Sequence, residues 1–188
     1  MKYDFEKYER MLDSLSEHRR VHSLNVAAEA VRFAEKYGAD PDKARLAGLL
    51  HDITKETDGE NQLKIIEKGG IMLTGPERRS PKLWHAVSGA CYIRDTLGIG
   101  DEDIFNAVRY HTTARAGMSM LEKVIFLADF TSAERSYPDV EVIRRYAEVS
   151  LEDGMLYGLQ TTIARLAGRG DIISPNALEA YNEVLLNK

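Results

Sequence analysis

The chain has 188 residues, 44% of them hydrophobic and 29% charged, enough for one globular domain with a real core. A net charge of -5 with no long basic stripe argues against binding along a DNA or RNA backbone. It leaves room for one phosphorylated small molecule held by a few converging cations. The single cysteine, Cys91, rules out an internal disulfide and, within an apolar helical stretch, reads as a small core residue. Residues 1–10 lack the apolar core of a signal peptide, and no apolar run nears the roughly 20 residues needed to span a bilayer. The expected address is the cytoplasm, without membrane association.

The first strong pattern is Val21, Leu24, Ala28 and Val31, whose spacing predicts one buried face of a long helix ending at Lys36-Tyr37-Gly38. A short helix follows from Pro41 to about His51. Further helices are predicted near 60–68, 81–97, 102–111, 119–130, 138–149, 151–168 and 175–186. Asp40-Pro41, Ser80-Pro81 and Ser174-Pro175 each set a capping side chain before a proline at the first helical position. Tyr137-Pro138 opens a helix without a good cap, Gly75-Pro76 marks a loop, and Ser119 with Glu122 has capping-box spacing. Sustained alternation of apolar β-branched residues is absent. The expectation is an all-α protein and one domain over 1–188, its core at about 17–135 and the helices of 138–188 packed on it as an accessory layer.

Five histidines occur, and four take distinctive positions. His22 lies near the start of the long helix, and His51-Asp52 close the next. His85 follows Trp84 in the first turns after Pro81, and His111 ends a further helix. His18, one turn before His22, reads as an exposed residue at the helix start. Asp129 follows the apolar run Val124-Ile125-Phe126-Leu127-Ala128, and His51-Asp52 follow Leu46-Ala47-Gly48-Leu49-Leu50. A carboxylate carried into the interior by such a run needs a partner, and a cation is the natural one. Imidazole nitrogen with carboxylate oxygen suits iron, manganese and related divalent ions. A lone His-Asp dipeptide is common by chance; the ordered set on successive helices carries the weight.

That set resembles the HD-domain superfamily of metal-dependent phosphohydrolases, whose signature His…His-Asp…Asp lies on an all-helical bundle and is matched here by His22, His51, Asp52 and Asp129. Within it the chain is similar to the YqeK-type, symmetrical diadenosine tetraphosphate hydrolases of bacteria. The similarity runs through Arg19–Leu24, Leu49–Lys55, Leu83–Ala86, Tyr110–Thr113 and Ala128–Arg135. It implies that His22, His51, Asp52 and Asp129 bind an iron-type metal, with manganese, cobalt or magnesium as substitutes. Lys55, His85, His111, Thr112 and Arg135 would face the polyphosphate. Superfamily members with two metals leave His85 and His111 open as ligands of a second ion. Lys55, three residues past Asp52, and Arg135, past Asp129, suit phosphate in their own right, and Arg19 is a further phosphate contact.

The implied reaction is attack of metal-activated water on a central phosphate of diadenosine tetraphosphate, releasing two ADP. Asp52, Lys55, His85 and His111 would act in catalysis. Gly170–Asn176, with Ile172 and Asn176, is a candidate base-binding loop or a plain connector. Competing readings are an HD-type nucleotidase acting on other (deoxy)nucleotides, a nucleotide-sensing module without turnover, and a helical interaction protein without metal. Oligomeric state is not legible, and a homodimer is carried as an open alternative.

Overall fold

The computed structural model describes residues 3–188, so Met1 and Lys2 of the expected 1–188 span and of the N-terminal stretch lie outside it. Among the described residues there are helices and no strand. They are α1 (Phe5–Met11), α2 (Glu17–Tyr37), α3 (Pro41–Leu50), α4 (Gly59–Lys68), α5 (Gly75–Arg78), α6 (Trp84–Asp95), α7 (Glu102–Tyr110), α8 (Met120–Thr131), α9 (Val140–Val149), α10 (Leu151–Gly168) and α11 (Pro175–Leu186). Among the described residues no helix is long and apolar enough to cross a membrane.

The long helix α2 is the axis, packed against α3 and α8. Ser16 caps its start by accepting from Arg19 N, and Gly38 ends it in the left-handed conformation at φ 82°. Helices α2 and α3 approach so closely that a Cβ on Gly48 would lie 2.6 Å from the Cα of Ala27. Helix α7 bridges α6 and α8, α4 covers α6, and α10 packs on α8, α9 and α11. One hydrophobic cluster runs from Phe5 through Phe33, Leu50 and Phe126 to Ile143, Leu159 and Ala180. The C-terminal helices therefore share the core of the others.

Several sequence expectations need correction. The expected face of α2 holds only in part: Leu24 packs against the core, but Val21 is 37% exposed, Ala28 is exposed as well, and Val31 is half-buried. The buried residues are His22, Ser23, Val26, Ala27, Ala30, Phe33 and Ala34. Small residues such as Ala27 win that face because they permit the close crossing of α3, and His22 turns toward the site. Gly75-Pro76 is the first turn of a short helix, closed by a capping box between Thr74 and Glu77. Asp40 caps α3 as expected, whereas the Ser80 and Ser174 side chains make no cap bond. Pro81–Leu83 is a tighter turn ahead of α6, and α9 begins at Val140 rather than Pro138. Helix α3 ends at Leu50, so His51 is its cap and Asp52 stands in the following turn. Cys91 is fully buried and free.

Candidate metal centre and phosphate site

The site is assembled where the ends of α3, α7 and α8 meet the first turns of α2 and α6. His22 sits on the second turn of α2, and His51 and His111 cap α3 and α7. His85 is in the first turn of α6, and Asp129 is in the last turn of α8. The turn after His51 is locked from outside, so Asp52 points inward. Thr54 Oγ1 donates to the His85 carbonyl at 2.9 Å, and Gln62 Nε2 donates to the Thr54 carbonyl at 2.7 Å.

His22 Nε2 lies 3.1 Å from His51 Nε2 and 3.1 Å from Asp129 Oδ1. Asp52 Oδ2 is 3.7 Å from His22 Nε2 and 3.5 Å from His51 Nε2. The opposite ring nitrogens fix the tautomers. His51 Nδ1 donates to the Gly48 carbonyl at 2.7 Å, and His22 Nδ1 donates to Glu134 Oε1 at 2.5 Å. A neutral imidazole whose Nδ1 carries the proton presents a lone pair at Nε2. Two such lone pairs and two carboxylates converge within a few ångströms, an arrangement that repels itself unless a cation stands between them. The N2O2 donor set suits a divalent metal.

Asp52 has a second face. Its Oδ1 is buried and accepts no hydrogen bond, with His85 Nε2 at 3.2 Å and His111 Nε2 at 3.6 Å. His111 Nδ1 donates to the Val108 carbonyl at 2.7 Å, so its Nε2 also offers a lone pair. The two Nε2 atoms are 3.2 Å apart. His51, Asp52 and His111 form a second group with metal-like spacing beside that of His22, His51 and Asp129. Lys55 already brings a cation there: its Nζ is 2.9 Å from His85 Nε2 and 3.9 Å from Asp52 Oδ1.

Cations ring the opening. Arg19 Nη1 pairs with Asp52 Oδ2, while Arg19 Nε is buried without a partner. Arg135 pairs with Asp129 Oδ1 and donates from Nε to the Asp129 carbonyl at 2.9 Å. Thr112 Oγ1 is likewise buried without a partner. Burial alone would raise the Asp52 carboxyl, but His51, His111 and His85, in their protonated forms, override it and hold the group well below the ordinary range; a metal in the same place would act in the same direction. Asp129 is lowered too, against its burial, by His22, His51, Arg135 and His111. Burial pushes His85 down to about 4 against the pull of Asp52, and it lowers the Lys55 ammonium.

The nine residues Arg19, His22, His51, Asp52, Lys55, His85, His111, Asp129 and Arg135 thus form one connected group, with Thr112 next to His111. His18 is exposed outside it. A cavity of about 330 Å³ opens beside Asp129 and Arg135, and neither Ile172 nor Asn176 lines it. Ile172 is 42% exposed, and Asn176 lies in the first turn of α11. Sequence reasoning missed Glu134, which accepts from His22, from Asn25 Nδ2 at 2.7 Å and from Ser132 Oγ at 2.8 Å. Its carboxyl falls to about 2, since these bonds outweigh the effect of burial.

Comparison with known proteins agrees with this geometry. The HD domain family model matches residues 19–134. A Halalkalibacterium halodurans protein named symmetrical bis(5'-nucleosyl)-tetraphosphatase is 38% identical over 174 residues, covering 93% of this chain and 92% of that one. A Bacillus subtilis protein of the same name is 37% identical over 170 residues, covering 89% of this chain and 90% of that one. A solved structure from Clostridium acetobutylicum, described as a predicted HD superfamily hydrolase involved in NAD metabolism, superposes with a TM-score of 0.94 at 35% identity, covering 99% of each chain. The chain belongs to the HD-domain family of divalent-metal hydrolases, and its all-α bundle is the fold of that family.

Proposed function

We propose that the protein hydrolyses diadenosine tetraphosphate symmetrically, releasing two ADP. The observation that carries this reading is the meeting of a His22/His51/Asp52/Asp129 donor set with three cations, Arg19, Lys55 and Arg135, at one opening. The names of the relatives from H. halodurans and B. subtilis support it. We assign the metal to these four donors and take it to be iron, with manganese, cobalt or magnesium as weaker substitutes. A divalent ion bound there supplies Lewis acidity toward a phosphoryl oxygen and toward water.

The chain's own groups do the rest. Arg19, Lys55 and Arg135 exchange their carboxylate partners for phosphate oxygens, which neutralises the polyphosphate and orients one central phosphorus. Water attacks that phosphorus, the bridging P–O bond on its far side breaks, and the bridging oxygen leaves with the second ADP. Lys55, hydrogen-bonded to His85, faces the charge that grows on that oxygen. His85 and His111 accept or return a proton at Nε2, and Thr112 Oγ1 contacts a phosphate. We seat one adenosine on the segment 170–176, where Ile172 offers an apolar surface and Asn176 lies at the N-terminus of α11. Every group used comes from one chain, so the reading needs no homodimer. The cytoplasm is the compartment we assign.

Incubating metal-loaded protein with diadenosine tetraphosphate tests the reaction. ADP as sole product is expected; ATP plus AMP, or no turnover, overturns it. Release of nucleoside from (deoxy)nucleoside monophosphates instead would favour a nucleotidase. Elemental analysis of protein purified without added metal tests the iron assignment.

A further inference from the structure

Cleavage at the middle of a symmetrical dinucleotide sets the reacting phosphorus between two similar halves, so a site for that reaction needs two seats. The cavity beside Asp129 lies between the end of α8 and the second half of α10, and neither Lys55 nor His85 lines it. Its volume of about 330 Å³ lies at the low end of the range for small-molecule pockets. Two aromatic rings form part of its wall. Phe130 follows the proposed ligand Asp129 and leans on Phe126, with ring centroids 4.9 Å apart. Tyr137 is fixed because its hydroxyl donates to the Phe130 carbonyl at 2.7 Å.

The polar groups are of the kind a nucleotide engages. Arg135 reaches from the cavity to Asp129, joining it to the metal centre. Arg165 lies at its exposed edge and makes no hydrogen bond or ion pair among the described residues. Thr162 and Asp139 complete the wall. Ring faces suit a base, a carboxylate and a hydroxyl suit ribose, and an unpaired guanidinium suits a phosphate.

We propose that this cavity seats the second nucleoside diphosphate half of the dinucleotide, with Arg165 on its phosphates and the base against Phe130 and Tyr137. This inference rests on the diadenosine tetraphosphate reading. Calorimetry on metal-loaded wild type, Arg165→Ala and Thr162→Trp tests it, with the dinucleotide affinity read on an analogue whose central bridging oxygen is replaced by methylene; the second variant fills the cavity from a partly exposed helical position. Circular dichroism checks the fold of both. Wild type should bind two ADP at saturation and Thr162→Trp one. Affinity for diadenosine tetraphosphate should fall by about tenfold or more in both variants. One ADP in every protein, or dinucleotide affinities within about twofold of wild type, would overturn the second seat. If wild type binds the dinucleotide and two ADP but never forms ADP from it, the hydrolase reading fails while the seat stands.

Discussion

Glu77 and Asp52 are both buried carboxylates that face a guanidinium, and they are finished differently. Glu77, 5% exposed, pairs with Arg109 through one oxygen and accepts from Thr74 N at 2.8 Å and Thr74 Oγ1 at 3.0 Å through the other. Asp52, 3% exposed, pairs with Arg19 through Oδ2 but leaves Oδ1 without a hydrogen bond, and Arg19 Nε is unpartnered as well. A fully satisfied buried pair holds a fold together, whereas buried groups left open carry a cost that must be met by a ligand or a function. On this contrast Glu77 belongs to stability and Asp52 to chemistry.

Removing each carboxylate should split the two roles. Asp52→Ala should cut ADP release by about 10³-fold or more, as when a group essential to the reaction is lost. Its metal-free melting temperature should stay close to wild type, because the lost Arg19 pair is offset by relief of the repulsion between Asp52, Asp129 and the imidazole lone pairs. Glu77→Ala should do the opposite. It strands the Arg109 guanidinium and undoes the Thr74 capping box, at a cost of about 3 kcal/mol in unfolding free energy. Activity per folded molecule should hardly change. Denaturant titration beside a steady-state assay checks both variants, and a Glu77→Ala protein that is stable but inactive would break the contrast.

Glu134 is an intermediate case: three donors satisfy it, yet one of them is a proposed metal ligand. Partners of this kind fix the tautomer and basicity of a ligating imidazole. Glu134→Ala should weaken metal binding by about 10–100-fold in a chelator competition, with the fold retained. An unchanged metal affinity would return Glu134 to a purely structural role.

How much of this was legible depends on range. His22, His51, Asp52 and Asp129 could be read because residue type and order along helices survive in one dimension. The Asp40 cap and the Ser119–Glu122 box are local and were equally visible. The Thr74–Glu77 box had the same spacing but was hidden behind Gly75-Pro76, which reads as a loop. The face of α2 was misread because Ala27, Ala30 and Ala34 give a weaker pattern than Val21 and Val31. What decides that face is the approach of Gly48 from another helix. Glu134 stands 112 residues from its partner His22, and the cavity joins residues from α8, α10 and the loop between α8 and α9. Neither leaves a local trace.

The smallest predicted effect is the pH response of the Glu77 pair. Burial raises that carboxyl, but the Arg109 and Thr74 hydrogen bonds prevail and hold it below its ordinary value of 4.5. A carboxyl depressed in the folded state binds protons more readily when unfolded, so acid favours unfolding. Its contribution is fully present above about 4.5 and is lost as pH falls through the folded value. The slope is at most about 1.4 kcal/mol per pH unit. Asp52 and Asp129 are depressed as well, so wild type alone would mix the sources. The difference between wild type and Glu77→Gln removes the shared part. That stability gap should be constant from pH 7 down to about 5 and narrow below about 4.5. A gap that stays constant to pH 3 would mean that Glu77 takes up its proton alike in the folded and unfolded chains, and the pair would lose its claim as a charge-dependent clamp.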